Sequence, residues 1–256
     1  MRLVCLAAEA ADIVVGLGAA DCLVGVSSFA RLPHYLKDVP RIGGFSTPAL
    51  SAVLALDPDL VIATSDVQAD AVAELLRSGL PVLALNPHRL GDVPQNIHLI
   101  GAALGLPDAA GRFVDRFCLE LESLRCPQRS AKRPCVFFEE WPEPMVSGIG
   151  WVGDLIEHLG GIDAFPELRD RRRAEQRRVD PNEVVKRQPD LIVASWCGKK
   201  VVPQRITARS GWAAIPAVRH GRVWEIPSDD ILQAGPRLLR GARALSRMIG
   251  KSYGES

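Results

Sequence analysis

The sequence predicts an α/β fold: two Rossmann-like lobes with mostly parallel sheets, joined by one long interdomain helix. Three observations carry this expectation. Short apolar runs rich in Val, Ile and Leu alternate with helical stretches through the first hundred residues. Residues 107–124 then place Ala110, Val114, Phe117, Leu121 and Leu124 three or four apart, as one face of a longer amphipathic helix. Finally, one helix–strand segment occurs twice, once in each half of the chain.

In chain order, 3–7, 23–26, 60–63 and 82–85 read as strands, each apolar throughout, as a strand covered on both faces should be. Helices at 10–17, 48–55, 70–76 and 93–104 fall between them. After the long helix the alternation resumes, with a strand at 134–138 and a helix at 152–159 that Gly160-Gly161 ends. A helix at 181–187, strands at 191–195 and 223–226 and a closing helix at 236–249 complete it. The expected domains are an N-terminal lobe at 1–105, a connecting helix at 106–130 and a C-terminal lobe at 131–256.

The repeat aligns Ser51 through Ser65 with Asn182 through Trp196 without a gap, an offset of 182 − 51 = 131. Both copies spell helix, Pro-Asp-Leu, apolar strand, small polar residue. The prolines, Pro58 and Pro189, end their helices, and the aspartates after them punctuate the turn. Open parallel sheets bind ligands beyond the carboxyl ends of their strands. Thr64-Ser65 and Ser195-Trp196 are therefore expected to open onto a site.

Composition narrows the function classes. A 256-residue chain with 47% hydrophobic residues can bury one large core or two modest ones. Its 31 Lys+Arg and 30 Asp+Glu nearly cancel, so no overall field attracts nucleic acid or an anionic membrane. The sequence has no apolar run of about 18 residues or more, so no membrane insertion is expected. At the N-terminus, Glu9 and Asp12 interrupt the apolar start before a secretory core of ordinary length can form. The start reads as a first strand, and the expected compartment is cytoplasmic as written or periplasmic if a leader has been removed.

Six cysteines lack CxxC spacing, and five histidines lack HxxxH or HxH spacing, so no intrinsic metal or cofactor is expected. The sequence has no GxSxG elbow and no GxxxxGK[ST] loop, and Gly16-Leu17-Gly18 follows a helix rather than opening one. An enzyme is not expected.

In order and spacing these pieces resemble the substrate-binding proteins of ABC importers whose lobes are joined by a single long helix, and within that class the cobalamin-binding group. The resemblance runs through residues 2–18, Val24-Gly25-Val26-Ser27-Ser28, Leu32-Pro33 and Pro40-Arg41-Ile42-Gly43-Gly44-Phe45. It continues through Asp57-Pro58-Asp59-Leu60, Glu139-Glu140-Trp141, Gly150-Trp151, Asp154-Leu155-Ile156, Leu159-Gly160-Gly161, Pro189-Asp190-Leu191 and Ser195-Trp196-Cys197-Gly198. It implies a monomer that binds a small molecule, a corrinoid, without catalysis in a cleft between two lobes. The corrinoid is then delivered to an ABC permease or carried inside the cell. Haem or a ferric siderophore is the alternative ligand of the same architecture. The resemblance also implies an acidic docking residue at each lobe tip. Asp66 and Asp70 supply it in the N-lobe, whereas Gly198-Lys199-Lys200 through Arg205 is basic, so the docking carboxylate is absent from the C-lobe tip.

A corrinoid is broad, partly apolar and fringed with amides, so its pocket needs flat aromatic walls and a few hydrogen-bonding groups. The expected ligand-binding residues of the N-lobe are Phe29, Tyr35, Phe45 and Ser46, on a loop whose Gly43 and Gly44 allow close backbone approach, with Thr64 and Ser65 at the repeat strand's end. In the C-lobe they are Trp141, Trp151, Trp196 and Cys197, with Asp229 and Asp230 to accept hydrogen bonds from ligand amides. His34 or Cys197 could also ligate the metal of a ligand directly. Glu139 and Glu140, adjacent on a strand, point to opposite faces and share no acid/base role. Arg169–Arg173 with Arg177-Arg178 reads as a solvated charge run, or as the arginine cluster a siderophore site would want.

Overall fold

The computed structural model describes residues 1–126 and 133–252. The chain divides into two compact units, one made of Met1–Pro87 and Asp92–Phe117, the other of His88–Gly91 and Cys118–Ser256.

The first unit alternates β1 (Leu3–Cys5), α1 (Ala8–Gly16), β2 (Leu23–Val26), α2 (Leu50–Ala55), β3 (Leu60–Thr64), α3 (Ala69–Arg77), β4 (Val82–Leu85) and α4 (Asp92–Ala103). Its strands are ordered β2-β1-β3-β4, and every pairing is parallel. Alternate residues of β1 and β3, namely Val4, Val61 and Ala63, pack with Leu6, Ile42, Val53 and Leu75 into one buried cluster. A sheet covered on both faces explains why these strands carry no polar alternation. Next comes α5 (Pro107–Ser123), whose Phe117 and Leu121 are buried. The expected span of 106–130 extends beyond it, and residues 127–130 lie outside the described residues.

The second unit contains β5 (Cys135–Pro142), β6 (Met145–Ser147), α6 (Gly150–His158), β7 (Ile162–Asp163), α7 (Pro181–Arg187), β8 (Leu191–Ala194), α8 (Pro203–Thr207), α9 (Pro216–Arg219), β9 (Val223–Glu225), α10 (Ser228–Ile231) and α11 (Leu238–Ser252). Its sheet is ordered β6-β5-β8-β9, with β7 paired to the start of β5; only β5–β6 is antiparallel. One expectation is corrected here: the strand expected at 134–138 runs on to Pro142 and folds back as β6. The short helix α10 ahead of α11 was not expected.

The repeat is structural as well as sequential. Helices α2 and α7 begin 181 − 50 = 131 residues apart, and strands β3 and β8 begin 191 − 60 = 131 apart. Two non-glycine residues adopt positive φ at the same offset, Asp57 at 42° and Gln188 at 47°, each turning the chain out of its helix in the left-handed region. The repeated aspartate does more than punctuate. Asp59 accepts from the Arg2 amide at 2.6 Å and donates its own amide to the Arg2 carbonyl at 2.8 Å. Asp190 does the same with Cys135, at 2.9 and 2.8 Å. In each unit the Pro-Asp-Leu motif therefore locks the repeat strand to the start of its neighbour and sets their register.

Within the second unit, the short segment His88–Gly91 is held firmly. The Arg89 guanidinium grips the Asp154 carboxylate at 2.6 and 2.8 Å, and the Leu90 amide donates to the same group at 3.0 Å. Burial pushes the Asp154 carboxyl up, but these donors outweigh it and hold it below the usual carboxylate range. Gly150, at the start of α6, has no room for a side chain: an added Cβ would lie 2.5 Å from the His88 carbonyl oxygen and 2.7 Å from that of Arg169. Both atoms are backbone, so Gly150→Ala is expected to destabilise the protein by roughly 1–3 kcal/mol in urea unfolding.

Candidate functional site

At the carboxyl edge of the first sheet, one buried side chain gathers three segments. Gln68 donates to the Leu6 carbonyl at 3.1 Å and the Phe45 carbonyl at 2.8 Å, and accepts from the Thr64 amide at 2.9 Å. The ends of β1 and β3 and the Phe45 loop are thus tied at one point. Beside it Thr64 is buried with its hydroxyl unpartnered, and Ser65, at φ 75°, uses its hydroxyl to accept from the Val67 amide. The loop before Phe45 is pinned by Arg41, whose guanidinium donates to the carbonyls of Ser27 and Ala30. Gly43 at φ 105° is required by the loop itself, since a Cβ there would lie 2.8 Å from both the Ala49 nitrogen and the Thr47 carbonyl oxygen. On this pinned loop Phe29 and Tyr35 stand 51% and 70% exposed. Phe45 is half-buried and Ser46 exposed.

The second unit carries a cavity of about 320 Å³ at the carboxyl ends of β5 and β8, lined by Glu140, Trp141, Pro144, Val146, Glu175, Arg178 and their neighbours Ala174 and Cys197. Trp141 and Cys197, two of the expected ligand-binding residues, are among this lining. The Lys199 ammonium sits 4.5 Å from the Trp141 ring centroid. Burial, and then the carboxylates of Glu140 and Asp229, raise the Cys197 thiol above its ordinary pKa. Cys197 is therefore a neutral thiol rather than a thiolate at physiological pH. Asp229 and Asp230 stand in the first turn of α10.

Two expected wall residues are not at a surface. Trp196, 4% exposed, turns into the core of the second unit and donates its indole N–H to Glu139 at 3.0 Å. Trp151 is also buried and donates to the Ile231 carbonyl at 2.9 Å. An indole with its one donor satisfied inside a core is packing material. The glutamates behave as their alternation requires. Glu139 is paired with Arg209 and Glu140 with Arg177, so they share no partner. Arg177 was read with a solvated run, yet it is buried, and Arg169 is held by Asp163, Glu157 and Asp154. Neither is available to a siderophore. Sequence reasoning missed Pro144, Val146 and Glu175, and read Arg178 only within a basic run; the turn signal of Pro142-Glu143-Pro144 directly after an aromatic strand end would have found the hairpin that carries the first two. Among the described residues no group of His, Cys, Asp and Glu is placed to hold a metal ion, and no helix is long and apolar enough to cross a membrane.

Comparison with known proteins places this geometry. The family model described as periplasmic binding protein matches residues 3–230. The chain belongs to that family. Like its other members, this periplasmic binding protein binds a substrate and does not transform it. It is 29% identical to YvrC, an ABC transporter substrate-binding lipoprotein of Bacillus subtilis, over 97% of this chain and 79% of that protein. It is 25% identical to a vitamin B12-binding protein of Vibrio parahaemolyticus, over 93% and 85% of the two chains. Among solved structures, the periplasmic heme-binding protein RhuT of Roseiflexus sp. RS-1 superposes with a TM-score of 0.83 at 24% identity, covering 98% of both chains. The vitamin B12-binding protein BtuF of Vibrio cholerae gives 0.77 at 22% identity, covering 99% of this chain and 98% of its own. These structural likenesses establish the two-lobed α/β architecture with mostly parallel sheets.

Proposed function

We propose that this periplasmic binding protein holds a corrinoid of the vitamin B12 type at the carboxyl edges of its sheets and presents it to an ABC importer. The observation that carries the reading is the cavity of the second unit, where the Trp141 indole, Pro144 and Val146 form apolar walls edged by Glu140, Glu175 and Arg178. Apolar walls suit a macrocycle, and carboxylates at its rim can accept hydrogen bonds from amide N–H groups. Exposed Phe29 and Tyr35 on the pinned loop of the first unit supply further aromatic surface. The vitamin B12-binding proteins among the relatives support the ligand, and YvrC supports the importer. Asp66 and Asp70, both exposed at the start of α3, are the proposed permease contacts; the exposed Lys199, Lys200 and Arg205 make the matching region of the second unit basic.

Haem is the second reading. Arg178 and Lys199 beside the cavity are suited to carboxylates, and heme-binding proteins are among the solved structures of the same fold.

Equilibrium titration with cyanocobalamin, followed by calorimetry and corrinoid absorbance with haemin as control, is expected to give saturable one-to-one binding that Trp141→Ala weakens roughly tenfold. No heat or spectral change with cobalamin, together with a shifted haemin absorption band, would replace the corrinoid with haem.

A further inference from the structure

Strand β1 pairs Leu3 with Leu60, and strand β5 pairs Val136 with Leu191. Because Leu60 and Leu191 are equivalent in the repeat, β1 and β5 correspond at an offset of 136 − 3 = 133. The positions matching Glu140 and Trp141, which line the second unit's cavity, are therefore Ala7 and Ala8, and the next residue is Glu9. Where the second unit places a carboxylate and an indole, the first has two small residues and then a carboxylate.

Glu9 is 8% exposed. Apart from its own backbone amide, its carboxyl has no hydrogen-bond or ion-pair partner among the described residues. Two residues back, Ala7 falls level with Thr64 by extension of the β1–β3 register, and the Thr64 hydroxyl is likewise buried and unpartnered. Buried polar groups are normally satisfied. The orphaned Thr64 hydroxyl at the end of β3 and the buried Glu9 carboxyl in the first turn of α1, which meets only its own amide, lie at the edge where parallel sheets bind ligands and mark a place that a ligand completes.

We propose that Glu9 and Thr64 form a polar anchor at the carboxyl edge of the first sheet, and that it selects ligands whose rim carries hydrogen-bond donors, such as carboxamides, over ligands whose rim carries carboxylates. This rests on the macrocycle reading above. Burial, and then the nearby Asp12 carboxylate, raise Glu9 to about 7 against the pull of its own amide, and no basic side chain contributes. Of the elements packed against α1, β2 and β3 carry no titratable side chain, β1 carries Cys5, α4 carries Asp92 and His98, and α5, whose Phe113 ring lies against Gly16 of α1, carries Asp108, Arg112, Asp115, Arg116, Cys118, Glu120 and Glu122. Above neutrality the anchor is thus anionic and accepts N–H donors, whereas a ligand carboxylate placed against it is repelled.

The test uses pairs of ligands with the same ring and different rims: cobinamide against cobyrinic acid, and the diamide of haemin against haemin itself. At pH 8 the wild type is expected to prefer the amide form of whichever ring it binds by roughly tenfold or more. That preference should shrink at pH 6 and be largely lost in Glu9→Gln, with Thr64→Val weakening the amide form alone. Equal affinities at pH 8, or a preference that Glu9→Gln leaves intact, would overturn the anchor while the macrocycle reading stands. Binding of neither ring would overturn both.

Discussion

Arg209→Met is expected to cost roughly 3–5 kcal/mol of stability, the largest effect of any single substitution considered for this protein. The reason is Glu139. It is 0% exposed, and its carboxylate is held from two sides. The Arg209 guanidinium binds it through both Nη1 and Nη2, the latter at 3.0 Å, and the Trp196 indole donates to Oε1 at 3.0 Å. Taking away the guanidinium leaves a buried charge with one neutral donor, and the cost of an unpaired buried charge exceeds what the pair contributed when intact. Arg209 also lies over the Trp212 ring at 4.6 Å, so part of the loss is packing. Adding Glu139→Gln to Arg209→Met should recover most of the stability, because an amide keeps the indole's acceptor and removes the charge. Urea unfolding of the two variants beside the wild type measures both numbers. An Arg209→Met protein within about 1 kcal/mol of wild type would mean that water reaches Glu139.

The second large effect is a pH dependence with one source. Glu9 rises from 4.5 to about 7 on folding, chiefly by burial. The folded protein therefore binds this proton more tightly than the unfolded chain does. The stability that Glu9 contributes is fully present below pH 4.5, declines as pH climbs toward 7, and is gone above it. The span corresponds to about 3 kcal/mol. Glu9→Gln removes the titration and keeps the shape, so the variant should match the wild type near pH 4 and exceed it by up to about 3 kcal/mol at pH 8. Denaturant midpoints at several pH values test this. A difference between the two proteins that stays constant with pH would show that Glu9 does not titrate in this range. A residue that costs stability at neutral pH is what a binding site tolerates in return for function.

The parts of the fold that were legible in the sequence are those set by local chemistry. Pro58-Asp59-Leu60 and Pro189-Asp190-Leu191 announced the same unit twice, and the helices and strands around them fall within a few residues of expectation. The β5–β6 hairpin was not legible from periodicity, because β6 has only three residues; its one signal was the turn chemistry of Pro142-Glu143-Pro144. The site was less legible than the fold, and for one physical reason: the partner that decides a side chain's role is far away in sequence. Trp196 looked available to a ligand until Glu139, 57 residues earlier, claimed its N–H. Arg177 looked like one more charge in a solvated run until Glu140 drew it into the core. Glu9, read only as a break in an apolar start, gained its interest from burial that no window of residues reveals.

The grip of Arg89 on Asp154 bears on how the polypeptide can be divided. Since the second unit includes His88–Gly91, a fragment starting at Cys118 would contain every strand of that unit's sheet and still lack one of its own pieces. Asp154 would lose its bidentate cation, and the wall that Gly150 packs against would lose the His88 carbonyl. The halves of this duplicated chain are thus not interchangeable modules. The second is completed by four residues that the chain supplies from within the first.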